Sequence, residues 1–154
     1  VVYAVHRVHE ITNAAKPKAQ LADFIGVVTL KSLSSHSLAL PENLTLLHAE
    51  SSSTLTVELS YMFLPRGWGK GYATESVNAV FDACKRMPSF WTPFSKFYVR
   101  AIVNQGNPPS MRVMEKIGMA KRGIYAWTGR IFLAGEWRER DDLHIYGMYI
   151  NLLE

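Results

Sequence analysis

The stretch Arg66-Gly67-Trp68-Gly69-Lys70-Gly71-Tyr72-Ala73-Thr74-Glu75 has the residue types and spacing best suited to chemistry. Three glycines in five positions let a backbone turn sharply and come close to a ligand. A helical pattern follows at once, and a helix start presents unpaired N–H groups and a partial positive charge. Together these would cradle an anion such as a diphosphate, with Arg66 and Lys70 adding positive charge. Two other phosphate loops do not match. Gly69-Lys70 is followed by Gly71, not by the serine or threonine of a P-loop. Gly67-x-Gly69-x-x-Tyr72 lacks the last glycine of a dinucleotide fingerprint. Taken alone, such a loop is as often a structural turn with no ligand.

Other reactive side chains do not gather. His6, His9, His36 and His48 show no metal-ligand spacing, and no metal is expected. His144 lies near Asp141 and Asp142 but lacks a serine or cysteine partner, so it reads as a surface histidine. Cys84 falls on an apolar helical stripe and reads as a small core residue.

The elements that must position the loop are legible from period and punctuation. Residues 1–8 and 24–30 read as strands, with Asp23 and Gly26 marking a hairpin region. Residues 55–64 alternate: Leu55, Val57, Leu59, Tyr61 and Phe63 on one face, Thr56, Glu58, Ser60 and Met62 on the other. Pro65 stops that strand. Ala73, Val77, Val80, Phe81 and Cys84 recur at helical spacing until Pro88. Residues 97–103 read as a strand. Asn107-Pro108 starts a short helix that Gly118 closes. The remainder reads as strands, the last over 143–150. Residues 31–53, with seven serines, read as a loop region. The result is a mixed α/β layer structure forming one domain over residues 1–154.

The 154 residues suit a single core, and 48% hydrophobic against 19% charged residues fits a globular chain. The net charge of +4 is scattered, without a long basic tract, which argues against a nucleic-acid partner and suits an anionic cofactor. No apolar run approaches the ~20 residues that span a bilayer, and no leader pattern precedes a cleavage site. A single cysteine favours a reducing compartment, so a cytoplasmic protein is expected.

Three motifs, in order along the chain, carry a resemblance to the GNAT superfamily of N-acetyltransferases. Arg66-x-x-Gly69-x-Gly71 is similar to its Arg/Gln-x-x-Gly-x-Gly/Ala signature. Asn104-x-x-Asn107-x-x-Ser110 and Met114-Glu115-Lys116-Ile117-Gly118-Met119 resemble the branch that acetylates N-termini of ribosomal proteins, as does Tyr72-Ala73-Thr74-Glu75. Asp142-x-x-x-Tyr146 is a weaker match. The resemblance implies a mixed, mostly antiparallel sheet splayed between its fourth and fifth strands, residues 55–64 and 97–103, with acetyl-CoA as co-substrate. The pantetheine arm would lie in that splay and pair with the backbone at Met62, Phe63 and Leu64. Amides from Gly67 through Trp68, Gly69, Lys70, Gly71 and Tyr72 to Ala73 would hold the pyrophosphate. Asn107 and Ser110 would lie beside the arm and thiol, with Asn104 also at the cofactor. Residues 1–8 look like the family's second strand, which would leave the opening elements missing and implies a truncated chain or help from a partner chain.

Acetyl transfer needs a neutral amine, a donor for the tetrahedral oxygen and a proton for the leaving thiolate. Glu58, on the polar face of the strand entering the loop, is the candidate base. A salt-bridged strand glutamate is its ordinary alternative. Ser110 is the candidate for protonating the thiolate or ordering a water, with helix capping its alternative. Relatives often carry a tyrosine one turn later, where this chain has Met114. Tyr61 and Tyr146 are reserve donors, and core packing is their default. Two readings follow: an acetyltransferase acting on a primary amine by direct attack, or an acyl-CoA-binding module without turnover.

Overall fold

The computed structural model describes residues 1–11, 19–45, 52–133 and 135–152. Among these described residues, six strands and two α-helices follow in the order β1 (Val2–Ile11), β2 (Ala19–Ser32), β3 (Thr54–Phe63), α1 (Tyr72–Lys85), β4 (Lys96–Asn104), α2 (Pro108–Lys116), β5 (Ala120–Leu133) and β6 (Glu136–Asn151). The strands form one sheet in the order β1-β2-β3-β4-β6-β5. Every neighbouring pair is antiparallel except β3 and β4, which run parallel. The connection between those two carries α1, the crossover that a parallel pair requires.

The first strands depart from the sequence expectation. β1 and β2 do pair antiparallel as a hairpin, but Asp23 and Gly26 lie within its second strand. They sit inside β2, paired with Arg7 and Val5. Gly26 is required by close approach: a Cβ there would lie 2.5 Å from the Met62 carbonyl oxygen and 2.7 Å from the Phe63 ring. The absence of a side chain lets β2 press against β3. The last two strands are also longer than expected, because β5 and β6 continue as a ribbon past the core. The calls on His48 and on the side chain of His9 fall outside the described residues.

Both helices feed one core. Val77, Val80, Phe81 and Cys84 of α1 are buried, as the stripe predicts. At about 2 kcal/mol for each buried side chain, that stripe outweighs the few tenths of a kcal/mol by which β-branched residues disfavour a helix. It packs with Val57 and Leu59 of β3, Val99, Ala101 and Val103 of β4, and Met114 of α2.

The ladder between β3 and β4 places the site. It runs from Thr54↔Lys96 to Glu58↔Arg100 and stops there, although β3 continues to Phe63 and β4 to Asn104. Beyond that point β3 remains bonded to β2 and β4 to β6. The two facing edges therefore part like a wedge, with backbone groups turned toward neither strand partner. Such groups need a partner from water or a ligand.

Candidate functional site

At the end of β3 the chain makes a 3-10 turn, Pro65–Gly67, then runs extended through Trp68. Gly69 and Gly71 follow with φ of +69° and +82°, the left-handed region that glycine enters without steric cost. Added Cβ atoms at either would meet nothing within 4 Å, so these glycines are needed for backbone conformation rather than for space. Gly71 is the N-cap of α1 and supplies no side-chain cap. The first bond from the helix proper returns from the Glu75 amide to the Gly71 carbonyl, 3.1 Å. The amides from Tyr72 to Thr74 thus open on the N-terminal end of the helix, where the dipole favours an anion.

The residues expected at the phosphates differ in where their polar groups are directed. The Gly67 and Trp68 amides donate to Leu64 O (2.8 Å) and Pro65 O (3.1 Å) inside the 3-10 turn, so they contribute wall rather than donors. Arg66 turns its guanidinium back to the Phe24 carbonyl on β2 and does not line the cleft. Lys70 is exposed beside the loop, outside the lining. At the pantetheine position, the Leu64 amide donates to Ile25 O and the Phe63 carbonyl accepts from the Trp68 indole, 2.7 Å. Leu64 lies outside the lining. Asn104 is committed elsewhere: its Nδ2 donates to Asp141 and its Oδ1 accepts from the Gly106 amide, which closes the turn after β4.

The loop, the parted edge of β3 and the start of α2 enclose a cleft of about 650 Å³. Of the residues that the resemblance assigned to the cofactor, Met62, Phe63, Gly67, Trp68, Gly69, Gly71, Tyr72, Ala73, Asn107 and Ser110 line it. Asn107 also caps α2, its Oδ1 accepting from the Ser110 amide at 3.2 Å. Sequence reasoning missed Arg112 and Lys116, which bring two cations into the cleft from one face of α2. Their i, i+4 spacing after the Asn107 cap was the available signal. The volume, the open helix amides and these cations together suit an elongated anionic ligand of the acyl-CoA type.

The two catalytic candidates are not brought together. Ser110 is in the cleft. Glu58 sits at the apex of the wedge, outside the lining, and its Oε2 receives both Nε and an Nη of Arg100, at 2.9 and 2.7 Å. Arg100 is 4% exposed and also donates to the Leu38 carbonyl at 3.1 Å. The glutamate therefore answers a buried cation. Its Oε1 has no partner among the described residues. Tyr146 is buried in the core away from the cleft, and burial pushes its phenol up. Tyr61 does reach the cleft. Burial pushes its phenol up as well, and the nearby Ser110 side chain only partly opposes that. His144 is half-buried; burial, then Lys121, depress its imidazole, with Asp142 opposing. Its surface reading thus gives way to a half-buried one, with an Nδ1 that is buried and meets no partner among the described residues. Cys84 is buried in the core, as its place on the stripe required. Among the described residues no cluster of metal-ligating side chains occurs, and no helix is long and apolar enough to cross a membrane.

Comparison with known proteins places this geometry. The model of the acetyltransferase (GNAT) domain matches residues 6–120. The uncharacterized protein YkkB of Bacillus subtilis is 40% identical over 63 residues, which are 41% of this chain and 33% of that protein. Among solved structures, yncA from Salmonella typhimurium, determined with its cofactor acetyl-CoA, is similar at a TM-score of 0.56 and 16% identity, covering 87% of this chain and 65% of that one. The ribosomal-protein-S5-alanine acetyltransferase of Vibrio fischeri is similar at 0.51 and 20% identity, covering 83% and 55%. The chain thus spans less than two thirds of the length of each of these three proteins.

Proposed function

The chain belongs to the GNAT acetyltransferase family, and on that footing we propose that it transfers an acetyl group from acetyl-CoA to a primary amine, either a protein N-terminus or a small-molecule amine. The observation that carries the reading is the cleft itself: open amides at the start of α1, left-handed Gly69 and Gly71, and the unpaired edge of β3 along one wall. The phosphates of the co-substrate would sit against the Gly69–Ala73 end, and its arm would run along the parted edge toward Ser110. The N-terminal amine of a ribosomal protein is the finer acceptor suggested by the Tyr72–Glu75 and Asn104–Met119 motifs.

In this mechanism the wedge holds the thioester still while the amine attacks its carbonyl carbon directly. Glu58 is the proposed base. With Oε2 held by Arg100, proton uptake falls to Oε1, directly or through one water. Ser110 orders a water or donor beside the sulfur. Calorimetry with acetyl-CoA, followed by thiol release across a panel of amines, tests the proposal. Binding with release supports it. Binding without release on any amine leaves a module that holds acyl-CoA, and no binding rejects both.

A further inference from the structure

On β4, Val99, Ala101 and Val103 belong to the core beneath the helices, so Tyr98, Arg100 and Ile102 turn to the opposite face of the sheet. Part of that face is covered as well. Tyr98, Arg100, Ile145 and Leu44 are buried, yet stand outside the helix-side core. The cover is the segment between β2 and β3. Its Leu44 sits so close to β5 that a Cβ on Gly123 would lie 2.6 Å from Leu44 Cδ2. Its Leu38 carbonyl accepts from Arg100 at 3.1 Å. We propose that this segment, residues 33–45, is the wall against which the acceptor amine is held, and that Arg100 is the positioning residue that fixes the wall to the base; this rests on the acetyl-transfer reading above.

One guanidinium nitrogen makes both ties. Arg100 Nη2 lies 2.7 Å from Glu58 Oε2 and 3.1 Å from the Leu38 carbonyl oxygen. Nε adds a bond to the same Oε2 at 2.9 Å. The carboxylate and the segment are therefore held at one spacing, and an amine against Oε1 has the Leu38 stretch beside it. Arginine suits this role because its planar fork offers several donors at once. Lys31, opposite Glu58 on β2, is exposed, so the buried arginine alone bridges base and segment among the cations that flank Glu58. The way in is open. The Glu58 side chain is 34% exposed, and further along the same face of β3 Ser60 and Met62 are exposed. Met62 also lines the cleft. An acceptor can thus reach the wedge from this face, with the segment bordering its path.

The start of the segment is closed on itself. Ser37 N donates to Ser34 O at 2.9 Å, and Ser34 N to Ser37 Oγ at 3.0 Å. Such local bonds shape a turn without placing it on a sheet. Its placement comes from the Arg100 bond at Leu38 and from the burial of Leu44. Arg100, Leu38 and Leu44 all lie outside the lining of the cofactor cleft. Loosening the segment should therefore act on the amine and leave acetyl-CoA alone. Arg100 touches base and wall together, whereas Leu44 anchors only the far end of the wall.

The test combines calorimetry with acetyl-CoA, thiol release with whichever amine of the panel reacts fastest, and hydrogen exchange over residues 33–45 by mass spectrometry. Leu44→Ala should raise the amine KM about fivefold or more and keep kcat within about twofold. Arg100→Met should raise the amine KM as much and also lower kcat about tenfold or more, because the base loses its holder. Arg100→Lys, which keeps the charge without the fork, should recover part of that kcat. In all three variants the Kd for acetyl-CoA should stay within about twofold, and exchange over residues 33–45 should quicken. Glu58→Gln, which keeps an oxygen for Arg100, should lower kcat and leave both the amine KM and the exchange near wild type. An amine KM unchanged in both Leu44→Ala and Arg100→Met overturns the proposal, even where kcat falls. Unchanged exchange in both overturns it too. A wild-type chain that binds acetyl-CoA but releases no thiol with any amine sinks the acetyl-transfer reading, and the acceptor wall with it.

Discussion

Gly69 shows how one residue serves a site through its backbone. Its φ of +69° strains any L side chain by about 1–2 kcal/mol, yet the space around it is open. Gly69→Ala and Gly69→Asp should therefore lose similar stability in a urea titration, about 1 kcal/mol each. They should separate in calorimetry with acetyl-CoA. Alanine should keep most of the affinity, and aspartate should lose at least tenfold, because its charge opposes the phosphates at the helix end. Equal affinities would show that the loop holds no anion. Glu58 poses a different question at the same scale. Glu58→Gln keeps an oxygen to accept from Arg100 but cannot take a proton. It should lower kcat severalfold or more and leave cofactor affinity nearly unchanged; an unaltered pH–rate profile would confine Glu58 to its ion pair.

Among the elements, the tie between β3 and β4 is asymmetric. Arg100 is buried, whereas the Glu58 side chain is 34% exposed. Removing the glutamate strands a buried cation; removing the arginine frees a carboxylate that water can reach. Glu58→Ala should therefore cost more stability, up to about 3 kcal/mol, than Arg100→Met, which keeps the apolar stem and should cost about 1 kcal/mol. Chemical denaturation of the two variants checks the order. In α2 the Asn107 side chain does two jobs, capping the helix and lining the cleft. Asn107→Ala should lose about 1 kcal/mol from the cap, and Asn107→Ser should restore most of it. On β6, the depressed imidazole of His144 links folding to pH. The unfolded chain binds that proton more readily below about 6.5, so the contribution is complete above that value and declines as pH falls toward the lower folded value. A His144→Gln variant should show a flatter stability profile between pH 7.5 and 5.

For the whole molecule, the net charge of +4 acquires a place rather than a partner. Arg112 and Lys116 face the cleft, while Arg66 and Arg100 are spent on carbonyls and a carboxylate within the fold. Acetyl-CoA affinity should accordingly weaken as salt rises. The double variant Arg112→Ala/Lys116→Ala should flatten that salt dependence, read by calorimetry at several ionic strengths.

The sequence alone determined the order of strands and helices from residue 54 to 119, the glycine loop between β3 and α1, and the Asn107 cap. Each of these rests on local rules: alternation on a pleated strand, an apolar stripe at helical spacing, glycine where φ is positive, proline where a donor is not needed. Only the tertiary structure decided which side chains were free to act. Arg66 meets Phe24 and Glu58 meets Arg100 across 42 residues each, and Asn104 meets Asp141 across 37. Those partners become neighbours only when strands pair in one register. The same pairing, by stopping at Glu58, opens the wedge along which Met62 and Phe63 line the cleft.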